Sequence, residues 1–192
     1  RKYKGAIGTS IAKIFDMTVA STGLSERVLA AEGIRFHASV THASSHAGYY
    51  PGATPMTLKL LFSPEGVIYG AQVTGYEGVD ARIDMIAAVM GMNGTVFALG
   101  EVEHAYAPPF SSAKDPVNAA GLTAENIVRG LVMAVTWKDI SRETGSFILD
   151  VRTRQEFAAG SIPGSVNIPV DELREYLDRV PRDRKIIITC AA

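Results

Sequence analysis

Residues 56–73 alternate in a way that leaves little choice of local structure. Along Met56-Thr57-Leu58-Lys59-Leu60-Leu61-Phe62, the residues Met56, Leu58, Leu60 and Phe62 share one face at a spacing of two. Val67-Ile68-Tyr69-Gly70-Ala71-Gln72-Val73 is a second extended run, and Ser63-Pro64-Glu65-Gly66 between them has turn chemistry. An antiparallel hairpin is expected, and a hairpin with one apolar face needs further strands and a covering layer. Ile11–Phe15, Met17–Ala20 and Arg35–Thr41 read as those strands. Ser25 is placed to cap a short helix that Gly33 ends. Val79, Ile83, Ile86, Ala87 and Met90 recur at helical spacing, with Asp80, Arg82 and Asp84 off that stripe. Asp115-Pro116 is a helix start, Asp as cap and Pro in the first turn, for a helix reaching about Val132 and weakened by Gly121. Strands and helices in separate groups predict an α+β domain with an antiparallel sheet.

The pattern changes near residue 135. Most glycines, six of the nine prolines and all four histidines lie before it. Beyond it, strand and helix alternate quickly: Phe147–Val151, Arg154–Ala159, Val166–Ile168, Val170–Val180 and Lys185–Thr189. In the fourth segment Val170, Leu173, Leu177 and Val180 share a face. This order implies a parallel α/β sheet. Two domains are therefore expected, 1–135 and 136–192. The second is marginal in size for an independent fold. Its closing run Ile186-Ile187-Ile188-Thr189 has the pattern of a strand buried on both faces, which needs neighbours on each side, so a truncated sheet is expected.

Composition excludes several function classes. Nineteen basic and twenty acidic residues give a net charge of −1, which argues against a nucleic-acid or anionic-membrane surface. No run of eighteen apolar residues occurs, so no membrane span is expected. The basic start Arg1-Lys2-Tyr3-Lys4-Gly5 leads into no apolar stretch and is not a signal peptide. Cys190 is the sole cysteine, which rules out an internal disulfide framework and fits the cytoplasm. No glycine-rich dinucleotide fingerprint and no P-loop is present, so these residues alone offer no cradle for a dinucleotide.

The most unusual stretch runs from Ala105 to Asn118 and includes Tyr106-Ala107-Pro108-Pro109-Phe110-Ser111-Ser112-Ala113-Lys114-Asp115-Pro116. Two consecutive prolines stiffen a loop between Tyr106 and Phe110 and deliver Lys114 to a helix start. A phenol on a rigid loop can donate a proton or hydrogen bond, and an ammonium can meet a phosphate. The plainer reading is that the aromatics pack and Lys114 is solvated. Tyr49 and Tyr50 stand at a Pro51-Gly52 turn and admit the same two readings. His42 and His46 are four apart, but the segment reads as strand end and loop and no third ligand is evident, so no metal site is expected. His37, in a period-two segment, reads as structural, and His104 stands close enough to the Tyr106 loop to support it.

That loop, with Tyr3-Lys4-Gly5-Ala6-Ile7-Gly8-Thr9-Ser10-Ile11-Ala12-Lys13-Ile14-Phe15-Asp16 and Ala20-Ser21-Thr22-Gly23-Leu24, closely resembles a known family over residues 1–133. The family is the C-terminal dimerisation domain of pyridine nucleotide-disulfide oxidoreductases, in the branch of coenzyme A-disulfide reductases and NADH oxidases. The resemblance implies a homodimer in which this domain completes the partner subunit's active site. FAD- and NAD(P)-binding domains and a redox cysteine precede the domain in the family, and none of them lies in these 192 residues. The resemblance places Tyr106 by the flavin and the partner's redox cysteine, where it stabilises a thiolate or protonates a leaving thiol. It brings Lys114 to coenzyme A and one of Tyr49 and Tyr50 to the disulfide.

Phe147-Ile148-Leu149-Asp150-Val151-Arg152 and Glu156-Phe157-Ala158-Ala159-Gly160-Ser161-Ile162-Pro163-Gly164-Ser165-Val166-Asn167-Ile168-Pro169 resemble the first half of a rhodanese domain, over residues 136–192. Ser161 replaces the usual histidine. The resemblance implies that Cys190 takes up sulfane sulfur as a persulfide, although only two alanines follow where rhodaneses have an anion-cradling loop. Asp150, Arg152 and Glu156 read as structural ion pairs. The intact protein is expected to be a flavoenzyme that reduces coenzyme A disulfide, a persulfide or a polysulfide with NAD(P)H, this part being inactive alone. Two alternatives stay open: an oxygen-reducing NADH oxidase of the same branch, and a non-catalytic dimerisation and sulfur-carrier module.

Overall fold

The computed structural model describes residues 5–140 and 145–190. Arg1 to Lys4 of the basic start, with the Tyr3-Lys4 pair of the family stretch, and the two alanines after Cys190 lie outside the described residues. The chain divides into two compact units at the Ala134/Val135 junction.

The first unit is an antiparallel sheet covered by helices. Its elements are β1 (Ser10–Ile14), β2 (Met17–Gly23), α1 (Glu26–Ala31), β3 (His37–Ser44), β4 (Pro55–Phe62), β5 (Ile68–Gly75), α2 (Val79–Gly91), α3 (Val96–Glu101) and α4 (Pro116–Val128). The strand order is β1-β2-β5-β4-β3, every pair antiparallel. The β4–β5 hairpin sits inside the sheet with Leu58 opposite Val73 and Leu60 opposite Ala71. Met56, Leu58, Leu60 and Phe62 are all buried, and they pack in one cluster with Val79, Ile83 and Ile86 of α2, Leu99 of α3 and Val117 and Ala120 of α4. Burial of this apolar face is the main source of stability. Leu61, on the opposite face from Leu60, is buried as well.

Two local expectations need correction, and one helix has no counterpart among them. Arg82 does not lie off the apolar face of α2: it is buried. It stands three residues after Val79 and four before Ile86, so the helical period puts it among them. The short helix α3 was not evident in the sequence. Helix α4 stops at Val128, because Gly130 adopts a left-handed conformation (φ 69°) and turns the chain, the Leu131 N–H bonding back to the Asn126 carbonyl.

The second unit has a turn α5 (Trp137–Ile140), β6 (Phe147–Asp150), α6 (Arg154–Ala159), β7 (Val166–Asn167), a 3-10 helix (Leu173–Arg179) and β8 (Ile186–Thr189). Its strands are parallel in the order β7-β6-β8. Leu149, Val151 and Ile168 form a small core with Phe147, Leu173, Tyr176 and Val180 against it. Val170–Val180 is not one amphipathic helix. The Val170 N–H bonds the Val151 carbonyl and so continues the sheet's hydrogen bonding, and the helix after it is 3-10 with a kink at Tyr176. A 3-10 period of three brings Leu173 and Tyr176 to the core and leaves Val170 and Leu177 exposed. Nor is β8 buried on both faces: Ile187 is buried, but Ile188 is 63% exposed, and β8 is an edge strand among the described residues.

Candidate active site

Two loops of the first unit meet. The first leaves β3 and is closed at its base by Ser45 and Thr54. The Ser45 N–H donates to the Thr54 carbonyl (2.8 Å), and the Ser45 hydroxyl oxygen accepts from the Thr54 N–H (3.1 Å) and Oγ1 (3.2 Å). Inside it the Tyr50 N–H bonds the Ala47 carbonyl, turning the chain so that adjacent tyrosines diverge. Tyr50 lies edge-on to the buried His46 ring, centroids 5.9 Å apart, whereas Tyr49 is 77% exposed.

The second loop leads from α3 to α4. Its Pro108-Pro109 turn is fixed by the Phe110 and Ser111 N–H groups, both donating to the Ala107 carbonyl. The Ala47 N–H donates to the Ser111 carbonyl (3.2 Å) and stitches the loops together. At their tips the Tyr49 and Tyr106 hydroxyls are 3.1 Å apart, a hydrogen bond between two phenols on an exposed surface. That bond, with partial desolvation and a smaller electrostatic influence of Tyr49, raises the Tyr106 phenol above the ordinary phenol range. Phe110 and Lys114 are exposed on the same loop, and Asp115 ends it as cap of α4, its Oδ1 accepting from the Val117 N–H (3.0 Å).

Beneath the loops lies a buried polar clamp. Arg82 donates to Asp115 Oδ2 from Nη2 (2.7 Å) and Nε (3.2 Å), to the Ser45 carbonyl from Nη2 (2.9 Å) and to the Gly78 carbonyl from Nη1 (3.3 Å). His104 Nδ1 is 4.0 Å from the same Asp115 oxygen, and its buried Nε2 has no hydrogen-bond partner among the described residues. Asn118 Nδ2 reaches the carbonyls of Leu99, Gly100 and Val102, closing the C-terminal end of α3 from across the helix pair.

The histidines do not gather. His42 bonds Thr57 Oγ1 on the sheet surface, His46 Nδ1 lies 3.2 Å from the Ala47 carbonyl oxygen, and His37 packs against Phe62. Among the described residues no group of three His, Cys, Asp or Glu could hold a metal ion. Nor do the paired phenols face a dinucleotide cradle. They lie exposed at the loop tips.

The pattern described as pyridine nucleotide-disulphide oxidoreductase, dimerisation domain, matches residues 9–118, more than half of the chain. The chain belongs to that family. The rhodanese-like domain pattern follows it over residues 134–192. A solved structure of reduced CoADR-RHD from Bacillus anthracis is 52% identical, with a TM-score of 0.96 over 98% of this chain and 34% of its own. The NAD-dependent persulfide reductase of A. fulgidus is 35% identical with a TM-score of 0.87, over 98% of this chain and 35% of its own. Coenzyme A disulfide reductase from Staphylococcus epidermidis is 38% identical over 124 residues, 64% of this chain and 28% of that enzyme. The chain thus spans about a third or less of the length of these relatives.

In the rhodanese-like unit of this family member, Cys190 is exposed, just beyond β8. Buried Asp150 binds Arg152 bidentately, and that guanidinium also donates to the Gly160 carbonyl (2.7 Å). The pair holds the Asp150 carboxyl below the usual carboxylate range and Arg152 firmly charged, with Cys190 among the smaller electrostatic influences on Arg152. Glu156 serves less as an ion-pair partner than as the far half of a capping box with Thr153. Of the residues singled out in the sequence, Tyr49 and Tyr106 come together, Tyr50 turns away to His46, and Cys190 stands in the other unit. Arg82 and Asn118 were missed as organisers of the loops. The spacing of Arg82 from Val79 and Ile86 was the available signal for the first.

Proposed function

We propose that this chain is the dimer-forming part of an FAD-dependent NAD(P)H oxidoreductase that reduces coenzyme A disulfide, a persulfide or a polysulfide. It completes the partner subunit's active site with Tyr106 and Tyr49. The observation that carries the reading is the 3.1 Å phenol pair exposed on two stitched loops, in a chain whose family assembles through this domain. Likeness to coenzyme A disulfide reductase and to a persulfide reductase supports the sulfur substrate, as does the rhodanese-like unit.

The chemistry suits the residues. Cleavage of a disulfide or persulfide releases a thiolate, which needs a proton. Tyr106 donates its phenolic proton to the departing sulfur, a step that rests on placement because the bond to Tyr49 raises its pKa and weakens it as an acid, and the phenolate recovers a proton from solvent through its exposed edge. Lys114 offers an ammonium to a coenzyme A phosphate. Hydride from NAD(P)H through FAD would supply the electrons, and the described residues offer neither cofactor a cradle. Cys190, exposed just beyond β8, would carry sulfane sulfur to that site as a persulfide. The sole cysteine supports a cytoplasmic setting, and no helix among the described residues is long and apolar enough to cross a membrane.

Tyr106→Phe in the intact polypeptide tests the assignment. Turnover of coenzyme A disulfide should fall about a hundredfold, the lower range of general-acid contributions. Unchanged turnover would remove Tyr106 from the chemistry.

A further inference from the structure

A proton donor on a loop works only if the loop is held, and both tyrosines are exposed. Tyr49 is mostly exposed, Tyr106 is half exposed, and their mutual bond joins segments 57 residues apart. What lies below them is unusual for a family of contacts serving stability alone. A buried ion pair loses much of its attraction to desolvation, and apolar residues of similar volume commonly do as well. Arg82 nevertheless sits inside the apolar face of α2, its side chain only 7% exposed. Every bond it makes outside its own helix goes to the base of one of the two tyrosine loops: the Ser45 carbonyl, four residues before Tyr49, and Asp115, where the Tyr106 loop ends.

We propose that Arg82 is the positioning residue of the Tyr49–Tyr106 pair, its guanidinium fixing the two loop bases at the separation that lets the phenols bond. The proposal rests on the reading of that pair as the reactive face. A planar fork is required. One Nη atom serves both Asp115 and the Ser45 carbonyl, while the other anchors to Gly78, so the direction of the head group is set from α2 itself. The Ala47–Ser111 backbone bond then closes the remaining distance between the loops. Lysine can supply the charge for Asp115 but not the three-way geometry.

The test uses the intact natural polypeptide with 3-fluorotyrosine at position 106, its ionisation followed by fluorine NMR. Tyr49→Phe gives the titration of an unpaired Tyr106, which should midpoint at lower pH than the parent. Arg82→Lys, with a parental circular dichroism spectrum, should titrate as Tyr49→Phe does. Its kcat for coenzyme A disulfide should fall about tenfold or more with KM within about twofold, as expected of misplacement rather than lost binding. A folded Arg82→Lys that titrates like the parent overturns the proposal, as does a Tyr49→Phe titration indistinguishable from the parent. If Arg82→Lys does not fold, Asp115→Asn takes its place, since its single carbonyl oxygen cannot both cap α4 and receive the fork; a parental titration there overturns the proposal equally. A shifted titration in Arg82→Lys with unchanged turnover upholds the positioning role and refutes the proton-donor reading of the pair.

Discussion

Replacing Gly121 by alanine sets two effects against each other with opposite signs. Gly121 lies in the middle of α4, where glycine is about 1 kcal/mol worse than alanine for the helix alone. On that ground Gly121→Ala stabilises. The surroundings argue the other way. A Cβ at residue 121 would stand 2.4 Å from the Gly100 nitrogen, 2.8 Å from the Leu99 carbonyl carbon and 2.9 Å from Leu99 Cβ. Two of these are backbone atoms of α3, so no side chain can swing aside, and α3 must withdraw from α4 by about 1 Å to reach ordinary contact distances of roughly 3.5 Å. A gap of that size forfeits a quarter to a half of each van der Waals well along the contact, and buried Val96, Leu99, Val117 and Ala120 all belong to it. Overpacking by one methyl group costs about 1–3 kcal/mol, and rigid backbone obstacles place this case at about 3. Subtracting the helix gain leaves a net loss of about 2 kcal/mol. The assay is native-state hydrogen exchange of α3 and α4, which should quicken about thirtyfold, since 1.4 kcal/mol is a factor of ten. Asn126→Ala, an exposed change in the same helix, is the control and should leave exchange unchanged or slower. Unchanged or slower exchange in Gly121→Ala would refute the close-approach argument.

Other perturbations read the remaining features. Asn118→Leu strips the donors from the Leu99, Gly100 and Val102 carbonyls; unfolding of the first unit should become easier by about 1–3 kcal/mol, measured by urea titration. The raised pKa of Tyr106 means that the pair's contribution to stability is fully present below the ordinary phenol pKa and is lost as pH rises through the raised value. Tyr49→Phe should therefore remove an alkaline step from the pH dependence of unfolding, and a profile identical to the parent would count against the bond. Asp150 has the opposite sign: its lowered pKa gives stability present above the ordinary carboxylate pKa and lost as pH falls through the lowered one. Arg152→Leu should destabilise the second unit at neutral pH and flatten its acid limb, read by exchange in β6.

What the sequence made legible follows from how local each cause is. The β4–β5 hairpin was readable because alternation and turn chemistry lie within eighteen residues, and the start of α4 was readable because Asp115 and Pro116 adjoin it. Helix α3 was not, because its end is closed by Asn118 from another element and it has no capping side chain of its own. The same holds for Val170, whose place in the sheet is set by a carbonyl nineteen residues earlier. Arg82 was misread for a different reason. A charged residue reads as lying off an apolar stripe, but the spacing of Arg82 puts it inside, and the charge is met there by Asp115.

The tyrosine pair shows where that boundary falls for function. Neighbouring tyrosines cannot be ranked by spacing, and the difference between them arises from His46, whose buried ring takes the edge of Tyr50 and leaves Tyr49 to reach outward. The family stretch named Tyr106 and left Tyr49 and Tyr50 as alternatives beside it, and the 3.1 Å bond that picks Tyr49 joins two loops stitched at Ala47 and Ser111 above a buried arginine. Under the proposed function, side chains offered to another subunit's site must be held by their own chain before assembly. The clamp under these loops is the element we propose to keep two exposed phenols in register, and removing its geometry while keeping its charge is the change that separates holding from chemistry.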